Sequence, residues 1–154
     1  MASTYEIDRI ISIGTKAAGG VGLIGAFTGD MPALAGIWGT MIYRIAQEND
    51  VDFDSDTCVK VATSVIASAA SFMGGAALLS KILTFSGVGL MLGVGINCAI
   101  NYFYTWRLGV AFDEIFDDYG VDTAVQKLAD IAIKRLILAP SLSEVEEFFE
   151  FITD

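Results

Sequence analysis

Histidine is absent from this chain of 154 residues, and proline and cysteine occur only twice each. Without histidine, the chain lacks the commonest metal ligand and the usual general base near neutral pH. Cys58 and Cys98 have no second thiol at the spacing of a metal site. We interpret both as reduced cysteines that pack within predicted helical segments. From these absences we expect a protein that is not an enzyme and that holds no cofactor or metal.

Basic residues are also scarce, because nine lysines and arginines stand against 19 acidic residues and give a net charge of −10. Binding of nucleic acid requires a basic surface, which excludes that class of partner. Simple electrostatic docking on anionic lipid is disfavoured for the same reason, so any membrane contact has to be apolar. The first ten residues have no basic region ahead of an apolar run, and we predict no secretory signal there.

Apolar residues make up 54% of the chain and the mean hydropathy is +0.59. Only 18% of the residues are charged, against about 25% in ordinary soluble domains. We expect residues 1–154 to form a single domain that is long enough to bury a core. Its helices are then either buried nearly all round or partly covered by lipid.

The glycine and proline positions predict an all-α fold of about six helices. A first helix is expected over residues 4–27, and Gly29, Asp30 and Pro32 mark a stop and a restart. Asp30 is the sharpest single candidate, either as the cap of the second helix or as a functional carboxylate that pairs with Arg44 or Arg107. We favour the cap. The second helix is expected to end near Glu48.

Residues 49–56 form an acidic loop in which aspartates alternate as they do in calcium-binding loops. Counted from Asp50, however, Ser55 and Val61 stand where an EF-hand requires glycine and glutamate. We therefore favour a solvated loop in which Ser55 or Asp56 caps the next helix.

A glycine-rich central helical hairpin is predicted over residues 57–83 and 87–118. Residues 61–80 and 82–106 carry no charge, and each run is long enough to cross a bilayer core of about 30 Å. Serine, threonine and glycine dilute their hydrophobicity. Three interpretations stay open: a membrane-inserted hairpin, a buried central pair in a soluble bundle, and a form that switches between the two.

Two rows of small and polar residues at every fourth position predict a helix-packing seam. Residues four apart share one side of a helix, where small side chains let another backbone approach and amides hydrogen-bond across the gap. The longer row consists of Gly89, Gly93, Asn97, Asn101, Thr105 and Gly109, and the shorter row of Thr63, Ala67, Ser71 and Gly75.

The C-terminal part predicts an amphipathic pair of helices. The first is expected over residues 122–138 and is ended by Pro140. Ser143 and Glu146 have the spacing of a capping box for a last short helix with one apolar stripe. That stripe has to dock on the rest of the chain or on a partner.

Two segments resemble a known family: GAFTGDMPALAGIWGTMIYRIAQENDVDFD at residues 25–54 and TWRLGVAFDEIFDDYG at residues 105–120. They are similar to the bacterial YcjF-like helical domain of unknown function that often follows an Era-type GTPase domain, and the first also resembles the EcsC family. The resemblance implies a membrane-associated helical domain without an assigned reaction. No phosphate-binding G-x-x-x-x-G-K-[ST] motif occurs, so any GTPase would be a separate partner.

We therefore expect a non-enzymatic, membrane-associated helical module at the cytoplasmic membrane, which oligomerises with copies of itself and recruits partner helices through its small-residue seams. The alternative is a soluble, cytoplasmic all-helical domain that binds partners or regulates them, kept in solution by its acidic surface. A second alternative is a conditional pore-forming or immunity component, since such proteins also bury apolar hairpins in a helical shell.

Overall fold

The computed structural model describes residues 4–22, 31–70, 96–119, 125–138 and 140–154. All the regular secondary structure in these ranges is helical, which confirms the predicted all-α class, and the described ranges contain six helices. The six helices are α1 (Thr4–Gly22), α2 (Met31–Glu48), α3 (Ser55–Ala70), α4 (Ile96–Tyr119), α5 (Val125–Ile137) and α6 (Leu142–Thr153).

Helix α4 is the central element of the described bundle, because it packs against α1, α2 and α5. Its buried side chains include Phe103, Leu108, Phe112 and Ile115, which project in different directions around the helix. Residues 100–112 are all buried or half-buried, which places this part of α4 in the core, whereas Glu114, Asp117 and Asp118 near its end are exposed. Helix α1 also packs against α2, and α3 packs against both α2 and α5.

Glycine sets the distance between neighbouring helices at two crossings. A Cβ atom added to Gly39 would lie 2.9 Å from the backbone Cα of Val59, so α2 and α3 touch almost backbone to backbone there. A Cβ on Gly109 would lie 2.7 Å from a side-chain carbon of Ile11, at the crossing of α4 and α1. Only a residue without a side chain allows these approaches.

The end of α2 agrees with the prediction, because the last helical residue is Glu48. The chain then turns through Asp50, whose φ of 57° lies in the left-handed region that aspartate tolerates better than most residues. The N–H of Val51 donates to the carbonyl of Ala46 at 2.8 Å, and the Val51 side chain is buried. This turn directs the acidic loop back toward α3.

The cap of α3 is Asp54, so the prediction of Ser55 or Asp56 is wrong. The backbone N–H of Thr57 donates to Oδ1 of Asp54 at 2.6 Å. Asp54, Ser55 and Asp56 are all residue types that cap helices. The helix uses Asp54, which stands three positions before the N–H of Thr57.

The cap of α6 is Ser141, so the predicted capping box of Ser143 and Glu146 is wrong by two residues. The N–H of Glu144 donates to the hydroxyl oxygen of Ser141 at 3.1 Å. Ser141 and Glu144 also have capping-box spacing, but the carboxylate of Glu144 pairs with Arg107. The carboxylate of Glu144 thus ties the first turn of α6 to α4.

Several predicted features lie outside the described residues: the end of the first helix at residues 23–27, the cap Asp30, and the hairpin turn between residues 83 and 87. Within the described ranges, the predicted hairpin segments correspond to α3 and α4, and the predicted helix over residues 122–138 corresponds to α5. None of the helices in those ranges is both long and apolar enough to span a membrane.

Candidate docking surfaces

Three residues of the longer predicted seam are buried on α4, where they contact α1 and α2. The side-chain amide of Asn101 donates to the carbonyl oxygen of Ala18 at 3.3 Å. The hydroxyl oxygen of Thr105 accepts a hydrogen bond of 2.8 Å from the indole nitrogen of Trp38. Together with Gly109, these residues fit α4 closely between the first two helices.

The shorter row has a different environment in the described residues. Thr63 and Ala67 are exposed on α3, and the hydroxyl of Thr63 donates to the carbonyl of Val59 at 2.8 Å within its own helix. Asn97 belongs to α4, but its side chain is outside the described part. The same holds for the whole of Ser71, Gly75, Gly89, Gly93 and Asp30. Packing of the two rows against each other therefore stays a prediction.

Arg107 joins three helices through one guanidinium group. Nη1 donates to the carbonyl oxygens of Leu136 at 3.1 Å and Leu138 at 2.7 Å, at the end of α5. Nε and Nη2 contact the two carboxylate oxygens of Glu144 on α6, at 2.6 and 3.1 Å. The pair is bidentate and largely buried, which makes it stronger and more directional than a surface ion pair.

The apolar side of α6 packs on aromatic residues next to this ion pair. The ring of Phe148 is fully buried, with centroids 5.4 Å from Phe103 and 5.5 Å from Trp106. The ring of Phe151 lies 6.4 Å from Trp106. The predicted stripe of the last helix thus docks on α4 in part: Phe148 covers Phe103 and Trp106, whereas Leu142, at the start of the stripe, is exposed.

The titratable groups of the described residues do not form a catalytic constellation. Burial raises the pKa of the Cys58 thiol to about 11, so this cysteine is a poor nucleophile. Burial, followed by repulsion from Asp113, raises the pKa of Asp8. Across the described ranges, no three Cys, Asp or Glu side chains gather at metal-binding distance.

A groove of about 440 Å³ runs between α1 and α2 on the surface of the bundle. Its walls are almost entirely aliphatic or glycine backbone, and one charged residue, Arg44, lies at the end of the run on α2. Ile13, on its α1 side, is 48% exposed. The lining residues are Ile10, Ile13, Gly14, Ala17, Ala33, Gly36, Ile37, Thr40, Met41 and Arg44.

A second apolar surface lies where α5 turns into α6. We call Ile137, Leu138 and Leu142 the apolar corner; their side chains are 41%, 61% and 72% exposed. The backbone beneath them is fixed, because the carbonyl of Leu138 accepts a hydrogen bond from Arg107 and Ser141 caps α6. These large side chains are therefore held outward by ordered structure.

The sequence signals for the two surfaces differ. Pro140 marks the turn at the apolar corner, but the outward direction of its leucines depends on how α6 docks. The groove depends on which faces of α1 and α2 are left uncovered by other helices.

Compared with known protein families, characterised proteins and solved structures, the chain matches none, so the similarity to YcjF-like domains stays a prediction from the two quoted segments.

Proposed function

We propose that the protein is a non-enzymatic, membrane-associated helical module that touches the bilayer surface with its apolar corner. The observation that carries this proposal is the exposure of three large aliphatic side chains within six residues, on a backbone fixed by Arg107 and by the cap of α6. Clustered exposed apolar residues are typical of membrane or protein contact sites.

The size of the corner indicates how strong this contact is. Complete burial of one large aliphatic side chain contributes about 1.5 to 3 kcal/mol, so three partly exposed ones contribute about 3 to 5 kcal/mol in total. A free energy of about 4 kcal/mol corresponds to a dissociation constant near 1 mM. The corner alone therefore gives weak and reversible binding.

Stable attachment then requires a second contact. Association of several copies supplies one, because linked weak sites bind far more tightly than each site does alone. The uncharged sequence over residues 61–80 and 82–106 supplies another if it inserts as the sequence predicts. We propose that the module acts as a homo-oligomer that recruits partner helices, with a separate GTPase as one candidate partner.

Vesicle flotation tests the role of the corner. The full chain is mixed with phosphatidylcholine vesicles, which carry no net charge, and is compared with L138S/L142S. Tyr5→Ser is the matched control, because Tyr5 is 73% exposed and lies on α1, away from the corner. We expect the wild type and the control to float with the vesicles and the double variant to stay at the bottom.

Equal flotation of all three proteins would overturn the role of the corner. Failure of all three to float would support the alternative, a soluble helical domain that binds protein partners. A carbonate wash of membranes from expressing cells then separates the two modes of attachment. Retention in the pellet indicates an inserted hairpin, and release indicates surface attachment through the corner.

A further inference from the structure

The volume of the groove between α1 and α2 is small for a docked helix. Along α2 the groove runs from Ala33 to Arg44, which is about 16 Å at 1.5 Å per residue. A helix of that length and about 10 Å in diameter occupies about 1,300 Å³. The groove offers about 440 Å³, so a helix would mostly stand outside it, whereas a single acyl chain can lie inside.

The groove has one apolar body and one cationic end. Arg44 is exposed, and no acidic side chain of the described residues forms an ion pair with it, although Glu48 follows one turn later. The hydroxyl of Thr40 already donates to the carbonyl of Gly36 at 2.9 Å. The guanidinium of Arg44 is therefore the polar group of this groove that is available to a ligand.

We propose that this groove binds a free long-chain fatty acid. The acyl chain lies along Ile13, Gly36 and Ile37, which are among the accessible lining residues, and the carboxylate accepts hydrogen bonds from Arg44. A volume of this size falls within the range of about 300 to 1,000 Å³ found for small-molecule sites. The groove combines an apolar lining with the guanidinium of Arg44, and a fatty acid combines a hydrocarbon chain with one carboxylate. This complementarity selects the ligand class.

Gly36 leaves the room that the ligand needs. A Cβ atom at this position would meet no other atom within 4 Å, in contrast to Gly39 one turn later, which is pressed against Val59. Among the described residues, no neighbour therefore requires glycine at position 36, although glycine weakens a helix. A large side chain there would project over the groove without disturbing the contacts that hold α2.

The structure provides a matched pair of variants. Gly36→Leu fills the groove, and Gly20→Leu makes the same change at another open helical position that does not line it. Calorimetric titration with monomeric dodecanoate measures binding to the full chain. We expect saturable binding to the wild type and to Gly20→Leu, and none to Gly36→Leu.

Head-group and chain-length series identify the two ends of the ligand. Arg44→Gln should weaken dodecanoate about tenfold, the lower limit for a hydrogen bond to a charged group. Dodecanol should bind to the wild type and to Arg44→Gln equally. Each added methylene from octanoate to dodecanoate should tighten binding about fourfold until the groove is filled.

Three results would overturn this assignment: no saturable binding of fatty acid, undiminished binding to Gly36→Leu, or binding only to phospholipid vesicles. The outcome is independent of the proposed membrane contact, because Gly36 and the apolar corner belong to different helices. Gly36→Leu should float with vesicles as the wild type does, and L138S/L142S should bind dodecanoate normally.

Discussion

The indole N–H of Trp38 donates a 2.8 Å hydrogen bond to the hydroxyl oxygen of Thr105, and both side chains are completely buried. The two residues stand 67 positions apart, so the bond joins α2 to the central helix α4. A buried polar pair of this kind accepts only one register between the two helices, because a shift in either direction separates donor from acceptor.

Thr105→Val should lower the free energy of unfolding by about 1 to 3 kcal/mol, because valine keeps the shape but removes the acceptor of the indole N–H. Urea denaturation followed by circular dichroism measures this loss. Thr105→Ser retains the hydroxyl and should lose less stability than the valine variant. Equal stability of the valine variant and the wild type would show that the hydrogen bond does not contribute.

Two glycines on α2 should respond in opposite ways to the same substitution. Gly39→Ala places a methyl group 2.7 Å from Cγ2 of Val59, and we expect a loss of about 1 to 3 kcal/mol from the overpacked crossing. Gly36→Ala meets open space and should raise stability by about 0.5 to 1 kcal/mol, since alanine is the better helix former. Thermal unfolding of the two variants measures both changes in stability. A shift of both melting temperatures in the same direction would contradict the prediction.

Glu144→Ala should detach α6 before the rest of the bundle unfolds. The variant leaves the guanidinium of Arg107, only 9% exposed, without its carboxylate, which costs about 3 kcal/mol. Hydrogen exchange should accelerate in α6 and remain unchanged in α1 and α2. Glu147→Ala is the control, because Glu147 is exposed on the same helix. Similar exchange in the two variants would show that the aromatic contacts alone hold α6.

Asp54 should make stability depend on pH in the acidic range. The hydrogen bond from the backbone N–H of Thr57 holds the pKa of this carboxyl below its ordinary value. An acid whose pKa is lowered by folding stabilises the protein above its unfolded pKa, near 4, and loses that contribution as the pH falls through the folded pKa. Melting temperatures should therefore differ between the wild type and Asp54→Ala at neutral pH and converge at the lowest pH. A constant difference would contradict the role of the charged cap.

Local features of the fold could be predicted from sequence, because they depend on neighbouring residues. The end of α2 at Glu48 and the place of Pro32 in its first turn follow from the acidic loop after the helix and from the geometry of proline. The capping residue is harder to predict, because Asp54, Ser55 and Asp56 are all residue types that helices favour as N-caps. Only the position of the helix in three dimensions decides among them.

The candidate surfaces were beyond sequence reasoning because they depend on distant contacts. The acceptors of Arg107 lie 29 to 37 positions further along the chain, and no local pattern identifies them. A Cβ atom at Gly14 on α1 would lie 2.8 Å from the sulfur of Met41 on α2, a contact between helices that the spacing along either helix does not identify. The open space above Gly36 depends on how α2 packs in the bundle, which periodicity along one helix cannot show.

The ion pair of Arg107 can form only late in synthesis, because Glu144 follows it by 37 positions. A ribosome completes α4 well before it reaches Glu144. In the nascent chain the guanidinium of Arg107 therefore lacks the carboxylate with which it later pairs. A message that stops at Pro140 would yield a protein in which Arg107 lacks its carboxylate partner and the rings of Phe103 and Trp106 lack their contacts with Phe148. Such a truncated product should be an early substrate for cellular proteases, so the codons of residues 141–154 affect how long the residues before them persist.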